Sequence, residues 1–138
     1  MMSLAHLSSG AHGQFGIVTT EKYWEEVLSE GVHEFLRQEQ TPSSVFGGVQ
    51  STGLSAAELH TMPLEEVKSR MVEATKRLLD EKDIRVICLG CAGMAGMDII
   101  VREACIEQRG EKAGEEIHII DGIAAGVSVI DGMLKIEL

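Results

Sequence analysis

The stretch Val86-Ile-Cys-Leu-Gly-Cys-Ala-Gly-Met-Ala-Gly-Met97 decides the fold. Its first four residues are a continuous apolar run, the pattern of a central strand in a parallel sheet covered on both faces. Gly90 to Gly96 then reads as a turn built from small residues. From Met97 the period changes, and Ile100, Val101, Ala104 and Cys105 recur at helical spacing. The segment is a strand, a tight turn and a helix.

The same alternation extends in both directions. Upstream, Phe15-Gly-Ile-Val-Thr-Thr20 reads as a buried strand. Tyr23, Trp24, Val27, Leu28, Val32, Phe35 and Leu36 then recur at helical spacing, and this aromatic stripe is expected in the core. Thr19 or Thr20 is expected to cap that helix, with Glu21 complementing its dipole. After a loop at Thr41 to Ser44, Val45 to Ser51 reads as a second strand. Ser55-Ala-Ala-Glu58 matches a capping box. Pro63 is expected at the first position of a helix with Leu64, Val67, Met71, Ala74, Thr75 and Leu78 on its apolar face. Downstream, Arg109 to Glu116 reads as a polar connection and Ile117-His-Ile-Ile120 as a fourth strand. A last helix carries Ile123, Val127, Ile130, Met133 and Leu134.

Strands alternating with helices predict an α/β three-layer sandwich with right-handed crossovers. The expected sheet is four-stranded and parallel, with the flavodoxin-like order 2-1-3-4. Ligands of such sheets sit at the carboxyl ends of the strands. Three clusters should meet there: Thr19-Thr20, Ser51-Thr52-Gly53 and Gly90-Cys91-Ala92-Gly93.

Composition narrows the function. A chain of 138 residues is of single-domain length and buries enough surface for a core. Its net charge of −10 argues against nucleic acid and against an anionic membrane surface. The longest apolar run, Val86 to Ala95, is too short to span a bilayer. Met1 to Gln14 has neither the basic nor the apolar region of a signal peptide, so the expected location is the cytoplasm. Residues 1–14 read as a flexible tail, and His6 and His12 within it as bystanders rather than metal ligands.

Cys91 is the sharpest chemical feature. It lies between a buried strand and a helix, flanked by Gly90 and Gly93, where small neighbours admit a ligand. Amides at such a turn favour a thiolate, which can serve as a base toward a carbon acid or as a nucleophile. The plain alternative is a small buried thiol. Cys88, three residues earlier, should point to the opposite face of the sheet, which argues against a redox pair. With no second C-x-x-C and His118 distant in sequence, a zinc site is also disfavoured. Cys105 reads as core. His60 reads as an ordinary surface or core histidine, with the ligand side as the alternative, and Asp121 as a helix cap or a ligand contact.

Leu89-Gly-Cys-Ala-Gly-Met94 with Ala-Gly-Met97 resembles the second cysteine motif of the aspartate/glutamate/hydantoin racemase superfamily, most closely its hydantoin and allantoin racemase branch. Phe15 to Thr20 with Trp24-Glu-Glu-Val27, Gly48 to Leu54 with Glu58-Leu-His60, and Ile119 to Gly122 with Gly126-Val127 resemble three further segments of that family's second lobe. The resemblance spans about residues 15 to 134. It implies one lobe of a two-lobe, cofactor-independent enzyme acting on a small molecule: hydantoin, allantoin or an amino-acid derivative. In such enzymes a cysteine from each lobe flanks the substrate's α-carbon, one removing the proton and the other returning one. Carried over, Cys91 is one acid/base residue, and Thr19, Thr20 and the Ala92 and Gly93 amides are substrate contacts.

The resemblance also implies a division into residues 15–121, the lobe, and 122–138, a helix that packs on the first lobe. Family chains are about twice as long, so the expectation is half of a two-cysteine site. The apolar last helix then needs cover from a second copy or a complementing chain. A non-catalytic interaction module derived from a racemase lobe is the alternative expectation.

Overall fold

The computed structural model describes residues 13–41, 43–80 and 82–137. His6, His12 and all but the last two residues of the expected tail lie outside the described residues. Gln14 already belongs to the first strand, where its amide donates to the Asp83 carbonyl.

Four parallel strands form one sheet in the order β2-β1-β3-β4, as expected: β1 Gln14–Thr19, β2 Phe46–Ser51, β3 Ile84–Leu89 and β4 His118–Asp121. Helices flank both faces, which gives the three-layer α/β sandwich. The register aligns Ile17, Cys88 and Ile120 in one row across the sheet, and Val18, Leu89 and Asp121 in the next.

One face is densely packed. Helix α3 (Leu64–Leu79) buries Val67, Met71, Ala74, Thr75, Leu78 and Leu79. Helix α4 (Asp98–Arg109) buries Val101, Ala104 and Cys105. They close on Val18, Ile84, Ile87 and Leu89 of the sheet. Gly16 makes room for this packing, because a Cβ there would meet Leu78 Cδ1 at 2.6 Å. The expected inward-facing Leu64 is instead exposed: it stands at the helix start, ahead of the turn that reaches the sheet. Pro63 sits just before the helix rather than at its first position, in extended backbone.

The opposite face carries a smaller cluster, Ile17, Leu36, Val45, Phe46 and Val49, under α1 (Tyr23–Gln38). Here the aromatic expectation fails. Tyr23 is 69% exposed, and Trp24, Val27 and Phe35 are exposed as well. Leu36 is the buried residue of α1, with Leu28 and Val32 half-buried. Neither Thr19 nor Thr20 caps α1, because the helix begins two residues farther on, with Lys22 at its cap and no side-chain cap bond.

The connection from Arg109 to Glu116 holds a short helix, α5 (Glu111–Glu115), where a plain loop was expected. Gly114 allows it: a Cβ there would lie 2.5 Å from the Ile106 Cα, so only glycine lets α5 rest on α4. Beyond β4, α6 (Gly122–Glu137) contacts the sheet at its base. Ile123, Val127, Val129, Ile130, Met133, Leu134 and Ile136 on it are all exposed.

Candidate functional site

The three small-residue clusters do converge at the carboxyl edge. β1 ends in Thr19 and passes to Thr20, and both side chains are buried. The Thr52 amide donates to the Thr19 carbonyl (2.9 Å) and the Gly53 amide to the Thr20 carbonyl (2.9 Å). Thr52 Oγ1 also donates to the Thr20 carbonyl and accepts the Leu54 amide, both at 3.2 Å. Gly53 turns the loop in left-handed backbone, φ +78°, a conformation that favours glycine. Gly90 is tied to the same edge by its amide, which donates to the Val18 carbonyl at 2.8 Å. It packs so closely that a Cβ would meet Thr19 Oγ1 at 3.2 Å and Ile17 Cγ2 at 2.7 Å.

Cys91 follows in extended backbone and caps a single turn of 3₁₀ helix, Ala92–Met94. Its Sγ accepts the Gly93 amide at 3.4 Å. A donor aimed at sulfur stabilises negative charge there. The Gly93 amide, expected to meet a ligand, is thus directed at the thiol, while the backbone of Ala92 lies at an exposed position. The Cys91 side chain is half-buried and rests against the cluster beneath α3 and α4, anchored nearby by the fully buried Met94.

Cys88 lies across the sheet from it, half-buried with Ile17, Phe46 and Val49. All three cysteines are free. Burial pushes the Cys88 thiol up and the Cys105 thiol up to about 11, so both are held as neutral thiols. Among the described residues no group of three or more His, Cys, Asp or Glu side chains is arranged to hold a metal.

Two residues that the sequence did not single out brace the edge. Glu25, in the first turn of α1, accepts both the Ser51 amide (3.1 Å) and the Ser51 hydroxyl (2.8 Å). Arg77, near the end of α3, donates to the Ser51 carbonyl (2.7 Å) and to Gln50 Oε1 (3.2 Å). Both pairings span 26 residues or more, and no local spacing signals them.

The capping box forms: the Ser55 amide donates to Glu58 Oε2 (2.7 Å) and the Glu58 amide to Ser55 Oγ (3.2 Å). These hydrogen bonds hold the Glu58 carboxyl below its ordinary range. The box opens a single helical turn, α2 (Glu58–Thr61), which brings His60 to the cysteine turn. A Cβ on Gly93 would lie 3.5 Å from His60 Nε2 and 3.6 Å from Cys91 Sγ. Asp121 caps α6, with Oδ1 accepting the amides of Ile123 (2.9 Å) and Ala124 (3.5 Å).

Comparison with known proteins adds the family. Two uncharacterized proteins of Schizosaccharomyces pombe are similar to this chain. One is 36% identical over 122 residues, covering 88% of this chain and 46% of the relative. The other is 29% identical over 132 residues, covering 96% and 51%. The chain therefore spans about half the length of the curated relatives it matches.

Among solved structures, the allantoin racemase from Pseudomonas fluorescens superposes with a TM-score of 0.67 at 23% identity, over 93% of this chain and 47% of that one. The allantoin racemase from Klebsiella pneumoniae gives 0.61 at 24% identity, over 96% and 48%. At these identities the likeness is one of fold. Among the described residues no helix is long and apolar enough to cross a membrane. The model of the Asp/Glu/hydantoin racemase family matches residues 1–130, and the chain belongs to that family.

Proposed function

We propose that this chain is a racemase lobe in which Cys91 transfers the α-proton of a small carbon acid. Substrates of the hydantoin, allantoin or amino-acid-derivative type fit this chemistry. The observation that carries the reading is the Gly93 amide directed at Cys91 Sγ, on a half-open turn at the carboxyl edge. In the forward step the thiolate takes the proton: the Cα–H bond breaks, an S–H bond forms, and the electron pair moves onto the adjacent carbonyl as an enolate. An acid and a base on opposite faces are needed to invert the centre. The opposing group, in this reading a second thiol, belongs to a further lobe docked over the edge. The backbone of Ala92 and the floor formed by Thr19 and Thr20 are the proposed substrate contacts. Residues 15–121 form the lobe, and the helix from residue 122 onward is the docking element.

The experiment is incubation of the 138-residue chain in D2O with one enantiomer of a 5-substituted hydantoin or of allantoin. Alpha-deuterium is read by NMR and inversion by optical rotation. One-sided exchange above the buffer rate, with little loss of rotation, is the expected result. Absence of exchange removes the proposal.

A second reading is favoured by the exposed apolar residues of α6: a non-catalytic interaction module that uses this helix to bind another copy or a complementing chain. Light scattering distinguishes it, since a monodisperse monomer at all concentrations counts against an interaction role.

A further inference from the structure

We infer that α6 of one copy of this chain seats in an apolar groove on α1 of a second copy, and that two copies exchange these helices reciprocally. The inference rests on the proposed docking role of α6 and names the surface that receives it. Four observations support it.

The first is the groove. It has a volume of about 370 Å³, and every residue lining it is apolar or glycine. Val27, Gly31 and Phe35 recur at every fourth position of α1, Leu28 and Val32 stand beside them, and Phe15 of β1 joins them. A Cβ on Gly31 would meet nothing within 4 Å, so among the described residues the groove is open there. Burial also falls away across the sheet from α1. In the row Ile17, Cys88, Ile120 the first residue is buried and the other two are half-buried.

The second is a helix of matching size. α6 and α1 each have 16 residues, a length of about 24 Å. On α6, Ile123, Val127, Ile130 and Leu134 share one face at spacings of three and four, and all are exposed. Since these residues are exposed and the groove is open, α6 does not fill the groove of its own chain.

The third is charge. The chain carries −10, so contacts between copies work against like charge. α1 adds four glutamates against one arginine. Between Gly122 and Ile136 the charged residues of α6 are Asp131 and Lys135, which pair with each other at 2.6 Å. α6 thus approaches the acidic α1 as a neutral, apolar helix.

The fourth is area. Burying the apolar face of one α6, together with the groove that receives it, removes on the order of 600 Å² from water, the size of a casual packing contact. Reciprocal exchange doubles this to on the order of 1,200 Å², where stable specific interfaces begin. It also closes at two copies, whereas a one-way contact would propagate into a chain of molecules.

The test is the mass of the 138-residue chain by light scattering up to about 100 μM, above the micromolar-to-picomolar dissociation constants of interfaces in this class. The expected result is a doubling of mass and no growth beyond it. Gly31→Glu puts a charge in the groove without touching its own chain, so its unfolding midpoint should hold or rise. Ile130→Asp puts a charge on the exposed face of α6. Each variant should raise the dimer dissociation constant at least about tenfold.

Phe35→p-benzoylphenylalanine then identifies the occupant by photo-cross-linking and peptide mass spectrometry. The expected cross-link lies in the dimer band, between this position and residues 123–134 of the other copy. A wild-type monomer at all concentrations would overturn the inference, as would growth past a dimer. A cross-link to the other copy's α1, or to α6 within the monomer band, would also overturn it. A dimer that survives Gly31→Glu counts against the groove while leaving α6 a docking element. No substrate is involved, so failure of α-proton exchange counts against the racemase reading alone.

Discussion

Helices α3 and α6 have the same length, 16 residues, and opposite fates. Met71, Leu78 and Val67 of α3 are 1% exposed or less, whereas Val127, Ile130 and Ile136 of α6 are at least 60% exposed. Yet α6 is the more apolar of the two by composition, with two charged residues between Gly122 and Ile136. What separates them is a partner surface. α3 lies along β1 and β2 and against α4. α6 meets the sheet at its base and carries its apolar residues into solvent. An apolar helix is therefore no evidence of a core helix until the surface opposite it is known. In the proposed function, that surface belongs to another lobe.

The contrast makes unequal predictions. The largest effect belongs to Met71→Ala. Removing a fully buried side chain from the α3–α4 face should cost about 2–5 kcal/mol in urea unfolding. A loss below about 1 kcal/mol would mean that this face is not the stable core.

Next comes alkaline pH. Cys105 is buried on the same face, and its thiol is raised to about 11 from an ordinary 9.0. The unfolded chain therefore loses this proton first. The stabilisation is complete below pH 9 and falls away as pH rises toward 11, by on the order of 2 kcal/mol. Cys105→Ala should flatten that part of the stability–pH curve relative to the wild type.

Asp121→Ala removes the cap of α6 and should cost about 1 kcal/mol in helix stability, read by circular dichroism during thermal unfolding. The smallest effect is Ile130→Ser. With this residue 60% exposed, the change should stay within about 0.5 kcal/mol in the dissociated chain while weakening any association seen by light scattering. A cost near that of Met71→Ala would show that α6 packs on its own sheet and would break the comparison.

The parallel sheet was legible because its strands are local signals. Val86 to Leu89 and Phe15 to Thr20 are short apolar runs, each followed by small or polar residues and then a helical period. The carboxyl edge was legible for the same reason, since topology alone brings Thr19, Ser51 and Gly90 together. The exposure of Tyr23 and Trp24 was not legible. Helical spacing records that a stripe is apolar but not which of its residues reach the sheet. Glu25 on Ser51 was hidden for a related reason, since it joins residues far apart in sequence through a side chain on a helix turn of ordinary composition. His60 near the carboxyl edge, however, was one of the two placements the sequence offered. The capping role of Asp121, by contrast, follows from a two-residue spacing and was readable.

The central claim is that the thiol at the edge moves an α-proton while the thiol across the sheet does not. The most direct measurement is the rate of α-deuterium incorporation into one substrate enantiomer, compared between Cys91→Ala and Cys88→Ala. Cys91→Ala is expected to fall to the buffer background and Cys88→Ala to stay within about twofold of the wild type. Exchange that survives in Cys91→Ala, or is lost in Cys88→Ala with the fold intact, would contradict it.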